Sequence, residues 1–377
     1  MQTTNTILPS QTIGIIGGGQ LGRMMAIAAR YMGYKIVVLD PTPDCPTAHV
    51  ADQQIVAAYD DLHAIDQLID GCDVITYEFE NVDLQAAAII HQSGKLPQGT
   101  RALEVTQNRE KEKQVVSDLR LPVPDYYIVT STEECEHALD SIAFPAVIKT
   151  CRGGYDGKGQ LKIHNESEKE QAIQFFKLHG YCIIEQWITF DKEVSVVFTR
   201  SINGDIEFFP LAENEHRDHI LYKTTVPANV DQSIHDSACQ IAKKIADYMD
   251  IVGTFAIEMF VKGKEVYVNE MAPRPHNSGH YTIEGCNISQ FAQHIRAICG
   301  LPLIEVELHG PTAMINVLGN DIKYAKTFLS RSNVGFLHLY GKEEPKEKRK
   351  MGHITFTAKT TEELEKQVNY FKEEIHS

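Results

Sequence analysis

One stretch, Ile13-Gly-Ile-Ile-Gly-Gly-Gly-Gln-Leu-Gly22, restricts what this chain can fold into more than any other. A short apolar run reads as a strand, three consecutive glycines cut it, and a helical pattern over 21–31 begins at once. A second apolar strand follows at 35–40, a later strand at 73–77 and a later helix at 84–91. Strands that alternate with helices run parallel and must be covered by those helices. The front of the chain, 1–107, is therefore expected to be an α/β, Rossmann-like domain. A charged helix over 108–119, stopped by Pro122 and Pro124, marks its end.

Beyond that point the rhythm changes to α+β. Residues 126–129, 146–150 and 181–185 read as strands, with a glycine-rich loop at 153–159, and make up a second unit over 108–190. In a third unit, 191–310, two hairpins are expected. One has arms 193–200 and 205–210 turning at Asn203-Gly204, and the other has arms 254–261 and 265–270 turning at Lys262-Gly263-Lys264. A small C-terminal domain, 311–377, mixes short strands at 313–317, 335–340 and 353–357 with a final helix near 361–374.

Charge narrows the partners. The 377 residues carry a net charge of −15, which argues against a nucleic-acid or anionic-membrane surface, since binders of phosphate polymers need a basic field. Small anions need only a few placed cations. The eight cysteines include no C-x-x-C pair, and scattered thiols fit a reducing compartment. No apolar run approaches the roughly 20 residues that span a bilayer, and no secretion signal is visible in the first ten residues. A cytoplasmic protein is expected.

Gly17, Gly19 and Gly22 form G-x-G-x-x-G after a strand, and Asp40 ends the second strand about twenty residues later. That is the context of a dinucleotide site, with a helix N-terminus facing phosphate. Two other readings stay open: a turn that only brings helix close to strand, and a site for a different phosphorylated ligand.

A second nucleotide site is written between Pro145 and Gln160. Lys149 ends a buried strand, and four glycines then free the backbone to approach phosphate oxygens. The loop is not a Walker A sequence, and a mobile hairpin turn is its bland alternative. Downstream, Glu185-Gln186-Trp187-Ile188 can present Glu185 and backbone groups to an adenine, or be an ordinary sheet edge. Glu258 and Glu270 share parity on the arms of one hairpin, so an even-sum register projects both carboxylates from one face. Facing carboxylates repel unless a cation lies between them, and hard oxygen ligands favour Mg²⁺. The loop Asn269-Glu-Met-Ala-Pro-Arg-Pro-His-Asn-Ser-Gly-His280 then places a cation and histidines beside that pair, which suits an anionic second substrate.

Five segments together resemble the N5-carboxyaminoimidazole ribonucleotide synthases of the ATP-grasp superfamily. They are Gly17-Gly-Gly-Gln-Leu-Gly-Arg-Met24, Thr76-Tyr-Glu-Phe-Glu-Asn-Val82, Arg152-Gly-Gly-Tyr-Asp-Gly-Lys-Gly159, the 269–280 loop and Lys350-Met-Gly-His-Ile354. The resemblance spans the whole chain and implies an ATP-grasp fold whose Rossmann-like front domain holds no dinucleotide. It also implies ATP and Mg²⁺, 5-aminoimidazole ribonucleotide and bicarbonate as substrates, carboxyphosphate as intermediate, and a homodimer. Carried over by position, ATP would meet Arg109, Lys149, Gly154, Tyr155, Asp156, Gly157, Lys158, Gly159, Gln160, Glu185, Gln186, Trp187, Ile188, Glu193, His216, Asn269 and Glu270. The ribonucleotide would meet Glu78, Tyr155, Asp156, Arg274, Lys342 and Arg349, while Arg274 and His276 would sit where bicarbonate meets the γ-phosphate. Glu258 and Glu270 would hold Mg²⁺. Ala272 stands where many superfamily members carry an asparagine ligand, so no third protein ligand is expected there.

Three rival functions can be told apart experimentally. One rival is a formate-using transformylase or a biotin carboxylase, and the carboxylate that supports ADP release separates the formate-using enzyme. An NAD-dependent oxidoreductase would bind nicotinamide, and a nucleotide sensor would not turn over.

Overall fold

The computed structural model describes residues 6–154 and 158–376. Four parallel strands, β1 (Thr12–Ile16), β2 (Lys35–Leu39), β3 (Gln53–Ile55) and β4 (Val74–Tyr77), build the front sheet in the order β3-β2-β1-β4. Helices Gln20–Tyr31, Leu62–Gly71 and Leu84–Gln92 cross over between or follow them. The α/β reading of the front domain holds. Its edge strand β3 escaped that reading because it is three residues long and mostly polar.

A second, antiparallel sheet contains β5 (Tyr126–Val129), β6 (Ala146–Thr150), β7 (Gln160–Ile163) and β8 (Cys182–Gln186), ordered β5-β8-β6-β7. The glycine-rich loop joins β6 to β7, with Lys149 paired to Gln160. The third sheet holds β9 (Lys192–Arg200), β10 (Ile206–Phe208), β11 (Ala212–Arg217), β12 (Ile220–Val226), β13 (Gly253–Lys262), β14 (Glu265–Ala272), β15 (Thr312–Leu318), β16 (Phe336–Leu339) and β17 (Lys350–Thr357). Its order is β14-β13-β9-β11-β12-β15-β17-β16, with β10 on β9. Both expected hairpins are present, and the C-terminal strands extend the same sheet through β12 and β15.

Packing follows the sequence pattern. Helix Gln232–Met249 buries Ile234, Ala238, Ile241, Ala242, Ile245, Ala246 and Met249, spaced three or four apart, in a core with Phe198, Phe255 and Ile257 of the large sheet. Helix Gln290–Ile298 places Phe291, Ile295 and Ile298 in one cluster with Met25, Ala26 and Ala29 of the first helix, which ties the front domain to the large sheet. Beside that cluster His294 accepts from the Thr254 N–H through Nδ1 (3.0 Å) and meets the Thr76 hydroxyl with Nε2 (2.9 Å). Burial pushes this neutral ring down to about 3.

The first glycine motif is occupied from within. The Glu78 carboxylate accepts the backbone N–H of Gly19 and, at 2.6 Å, that of Gly22. Asp40 accepts from the Gly18 N–H (2.7 Å), the Tyr59 hydroxyl (2.7 Å) and the Thr42 N–H (2.8 Å). The amides that would cradle a pyrophosphate and the acid that would hold a ribose are thus both engaged, which leaves a dinucleotide without its two anchors. Gly22 serves close packing: a Cβ there would lie 2.6 Å from the Gly17 carbonyl oxygen and 2.7 Å from Thr47 Oγ1.

Because the Gly17 oxygen is backbone, this contact cannot be relieved by a rotamer change. Gly22→Ala should therefore destabilise the protein by about 2 kcal/mol through overpacking, read as a lower urea midpoint with an unchanged slope. A midpoint within error of wild type would show that the helix can move off its strand freely.

Candidate active site

The three sheets face a common cleft of about 1700 Å³. Its deepest charges sit at the start of helix Arg109–Asp118, whose N-cap Asn108 accepts from the Glu110 N–H at 3.0 Å. Arg109 and Lys113 are four residues apart and so share a face. Lys113 Nζ lies 2.8 Å from Glu185 Oε1 and donates to the Asn269 carbonyl at 2.9 Å, while Lys149 Nζ lies 2.5 Å from Glu185 Oε2. Burial alone would raise the Glu185 carboxyl, but the Lys113 and Lys149 charges override it and hold it below the usual carboxylate range. Burial also lowers Lys149, against the pull of Glu185.

Glu258 on β13 and Glu270 on β14 are direct cross-strand partners, and a bulge follows Glu258. Arg109 Nη1 stands 3.3 Å from Glu270 Oε2, and His276 Nε2 stands 3.5 Å from Glu258 Oε1. Burial first, and the facing Glu270 charge second, push the Glu258 carboxyl up to about 7. Two facing hard-oxygen donors of this kind fit a divalent cation between them. Among the described residues no cluster of three or more His, Cys, Asp or Glu forms a metal cage, so the remaining ligands of such a cation would be phosphate oxygens and water.

Around this pair acidic and basic side chains alternate. His216 Nδ1 lies 2.5 Å from Glu193 Oε2; burial would lower the imidazole, but this bond and the Glu258 charge raise it above its usual value. Arg274 donates from Nε to Glu80 Oε2 at 2.6 Å. Burial, and then the Arg274 charge, hold His276 well below its usual value. At one end Val147, Ile188, Phe260 and Met271 give the cleft an apolar wall. At the other Lys342 donates to Gln20 Oε1 (2.7 Å) and to the Lys350 carbonyl (2.8 Å), and Arg349 donates to the Glu344 carbonyl (3.0 Å).

Most of the expected residues meet here. Arg109, Lys149, Gly154, Lys158, Gln160, Glu185, Gln186, Trp187, Ile188, Glu193, His216, Glu258, Asn269, Glu270, Arg274, His276, Lys342 and Arg349 all line the cleft, as does Glu78. Gly159 does not; its carbonyl accepts from the Thr150 N–H at 2.9 Å and closes the hairpin. Tyr155, Asp156 and Gly157 lie outside the described residues. Three placements differ in detail from expectation. The Glu185 carboxylate faces two lysines, the Trp187 ring is covered by Lys162 Nζ at 3.7 Å, and the Glu78 carboxylate caps the first helix.

The sequence reading passed over Lys113, Glu80, Gln20 and Leu21. Lys113 was detectable from its i,i+4 spacing to Arg109. Glu80 was inside a quoted motif, but its partner lies 194 residues away, and no local pattern reports that.

A cleft between a glycine-hairpin sheet and a large sheet with paired carboxylates is the layout of an ATP-grasp ligase. Family profiles agree: an ATP-grasp domain matches residues 114–291, a ribonucleotide synthetase preATP-grasp domain 10–107, and a phosphoribosylaminoimidazole carboxylase C-terminal domain 312–367. The N5-carboxyaminoimidazole ribonucleotide synthase of Bacillus subtilis is 48% identical over 358 residues, 95% of this chain and 94% of that protein. A crystal structure of an N5-carboxyaminoimidazole ribonucleotide synthetase in complex with ADP superposes with a TM-score of 0.95 at 47% identity, covering 98% of both chains. The Aspergillus clavatus enzyme in complex with ADP and 5-aminoimidazole ribonucleotide gives a TM-score of 0.90 at 29% identity, over 97% of this chain and 99% of that one. The chain belongs to the N5-carboxyaminoimidazole ribonucleotide synthase family.

Glu185 generates the prediction of this site. Glu185→Gln leaves two buried ammonium groups without their counter-charge and should cost about 3–5 kcal/mol in urea unfolding. The folded carboxyl titrates below its unfolded value, so its stabilisation is complete above the ordinary value of 4.5 and is lost as pH falls through the depressed one. The variant should therefore lose part of the acid dependence of stability; an unaltered pH–stability curve would contradict the pairing.

Proposed function

We propose that this chain carboxylates 5-aminoimidazole ribonucleotide with bicarbonate at the expense of ATP, giving N5-carboxyaminoimidazole ribonucleotide, ADP and phosphate for purine biosynthesis. The observation that carries the reading is the union, in one cleft, of a facing carboxylate pair with a cationic phosphate end and a second cationic end at Lys342 and Arg349. One cationic end takes the triphosphate and the other takes the phosphate of a separate substrate.

The adenine fits the apolar wall beside Gln186–Ile188, and Lys149 and Arg109 reach its phosphates. Glu258 and Glu270 would hold Mg²⁺, which when bound offsets charge on the phosphoryl group in transfer. Bicarbonate, a poor electrophile, attacks the γ-phosphate to give carboxyphosphate, with Arg274 and His276 orienting its oxygens. Glu80 keeps the Arg274 guanidinium in place. Carboxyphosphate, or CO₂ released from it, then meets the exocyclic amine of the ribonucleotide. Gly153, Gly154, Lys158 and Gln160, at the ends of the glycine-rich connection between β6 and β7, line the same cleft. For the ribonucleotide phosphate, Gln20 and Leu21 line the cleft beside Lys342 and Arg349.

The four-part division at 107, 190 and 310 accompanies this reading, as do a cytoplasmic location and a homodimer. All eight cysteines are free thiols, and among the described residues no helix is long and apolar enough to cross a membrane.

ADP release tests the activity: it should require both bicarbonate and 5-aminoimidazole ribonucleotide, and formate should not replace bicarbonate. Glu258→Gln or Glu270→Gln should lower kcat by about ten- to a hundredfold with the fold retained. Near wild-type turnover at limiting Mg²⁺ would remove the metal assignment. Arg349→Ala should raise KM for the ribonucleotide by about tenfold or more while KM for ATP stays within twofold. A fall in ATP affinity instead would move the ribose phosphate elsewhere.

A further inference from the structure

Behind His276 runs a file of buried polar side chains that the proposed chemistry has not used. Ser195 on β9, Asn214 on β11 and Thr224 on β12 belong to three neighbouring strands, and Ser278 follows β14; none is more than 7% exposed. Thr224 Oγ1 donates to Asn214 Oδ1 at 2.9 Å, and Asn214 Nδ2 donates to Ser195 Oγ at 3.0 Å. Ser195 Oγ donates to Ser278 Oγ at 2.8 Å, and Ser278 Oγ lies 2.8 Å from His276 Nδ1.

The direction of the file follows from its last member. The Ser278 backbone N–H, 3.3 Å from His276 Nδ1, can only donate. Nδ1 therefore presents a lone pair, the Ser278 hydroxyl donates to it, and the Ser278 oxygen is left to receive from Ser195. A neutral imidazole with Nδ1 as acceptor carries its hydrogen on Nε2, the atom that faces Glu258. The main chain of the same residue is clamped as well: the His276 N–H donates to Gln290 Oε1 (2.9 Å), and Gln290 Nε2 donates to the His276 carbonyl (2.7 Å).

We propose that Thr224, Asn214, Ser195 and Ser278 are positioning residues whose one-way hydrogen bonds fix His276 as the Nε2–H tautomer, a permanent donor to the oxygens of bicarbonate and its acyl phosphate. Ser195 is the cross-strand neighbour of Glu258 on the same face of the sheet, so the file runs beside the carboxylate that faces the ring. Buried polar groups stabilise less than apolar ones of the same size unless every partner is met. Each member of this file meets a partner, so it holds the ring in one orientation without leaving an unpaired polar group in the sheet. Its target rests on the bicarbonate reading above, whereas the tautomer does not.

The test combines spectroscopy with a double-mutant cycle. Nitrogen-15 histidine spectra of the intact, nucleotide-free protein, with His276 assigned by its loss in His276→Gln, should show a protonated Nε2 and an unprotonated Nδ1. Ser278→Ala should lower kcat about tenfold with both KM values within twofold, and Ser278→Thr should regain most of that loss. In a His276→Gln background, Ser278→Ala should cost nothing more, because its effect passes through the ring. A proton on Nδ1, an unchanged kcat in Ser278→Ala, or full additivity in the cycle would each overturn the proposal. If Ser278→Ala does not fold, the wild-type spectrum alone decides. If ribonucleotide carboxylation is absent while the spectrum shows Nε2–H, the functional reading fails and the relay stands.

Discussion

Glu258 and Glu270 oppose one another across β13 and β14 inside a cleft that burial has made poor at screening charge. Two carboxylates in that position repel strongly, and the composition of the surrounding wall answers that repulsion. Arg109 reaches Glu270, His276 reaches Glu258, and the hydrogen bond to Glu193 and the Glu258 charge both raise His216 against the effect of burial. Arg274, placed close by, has its own acid in Glu80.

The same interactions hold the sheets around the cleft. Arg109 joins the helix before the second sheet to β14, Lys113 spans from that helix to the Asn269 carbonyl, and Lys342 connects the C-terminal segment to Gln20 in the front domain. Arg274 and Glu80 tie the loop after β14 to the segment after β4. Domain docking and ligand binding therefore draw on one set of charges. A ligand that competes for Lys149 or Arg109 also alters the contacts that these residues make with Glu185 and Glu270.

Legibility in the sequence followed the range of the interaction. The front strands and their helices were readable because periodicity is local, and both hairpins because their turn residues are adjacent. Glu258 and Glu270 were readable because strand parity fixes a face once the hairpin is recognised. The meaning of Gly17–Gly22 was not. Its context is that of a dinucleotide site, and what decides against one is a carboxylate 56 residues from Gly22. Only the wider resemblance anticipated that outcome, and it gave no physical reason. The relay behind His276 was hidden for the same cause, since Ser195, Asn214 and Thr224 sit on three strands and look like ordinary strand residues one at a time.

Glu78 shows how a phosphate-binding turn can be kept while its ligand is changed. The strand–glycine–helix unit concentrates backbone N–H groups at the positive end of a helix, and an anion there is favourable whatever molecule carries it. A carboxylate from the neighbouring strand's end meets the Gly19 and Gly22 amides and satisfies the turn permanently. Burial pushes that carboxyl upward while the two amides pull it back, so the contact holds the glycines in their compact form without an external ligand. What remains at the cleft wall is the flank of the turn, Gln20 and Leu21, beside the Lys342 ammonium. An internal acid has taken the place where a dinucleotide would be read, and the adjoining surface faces the other substrate end. The compact form of the turn and the engagement of its amides are thus two results of one hydrogen-bonded carboxylate.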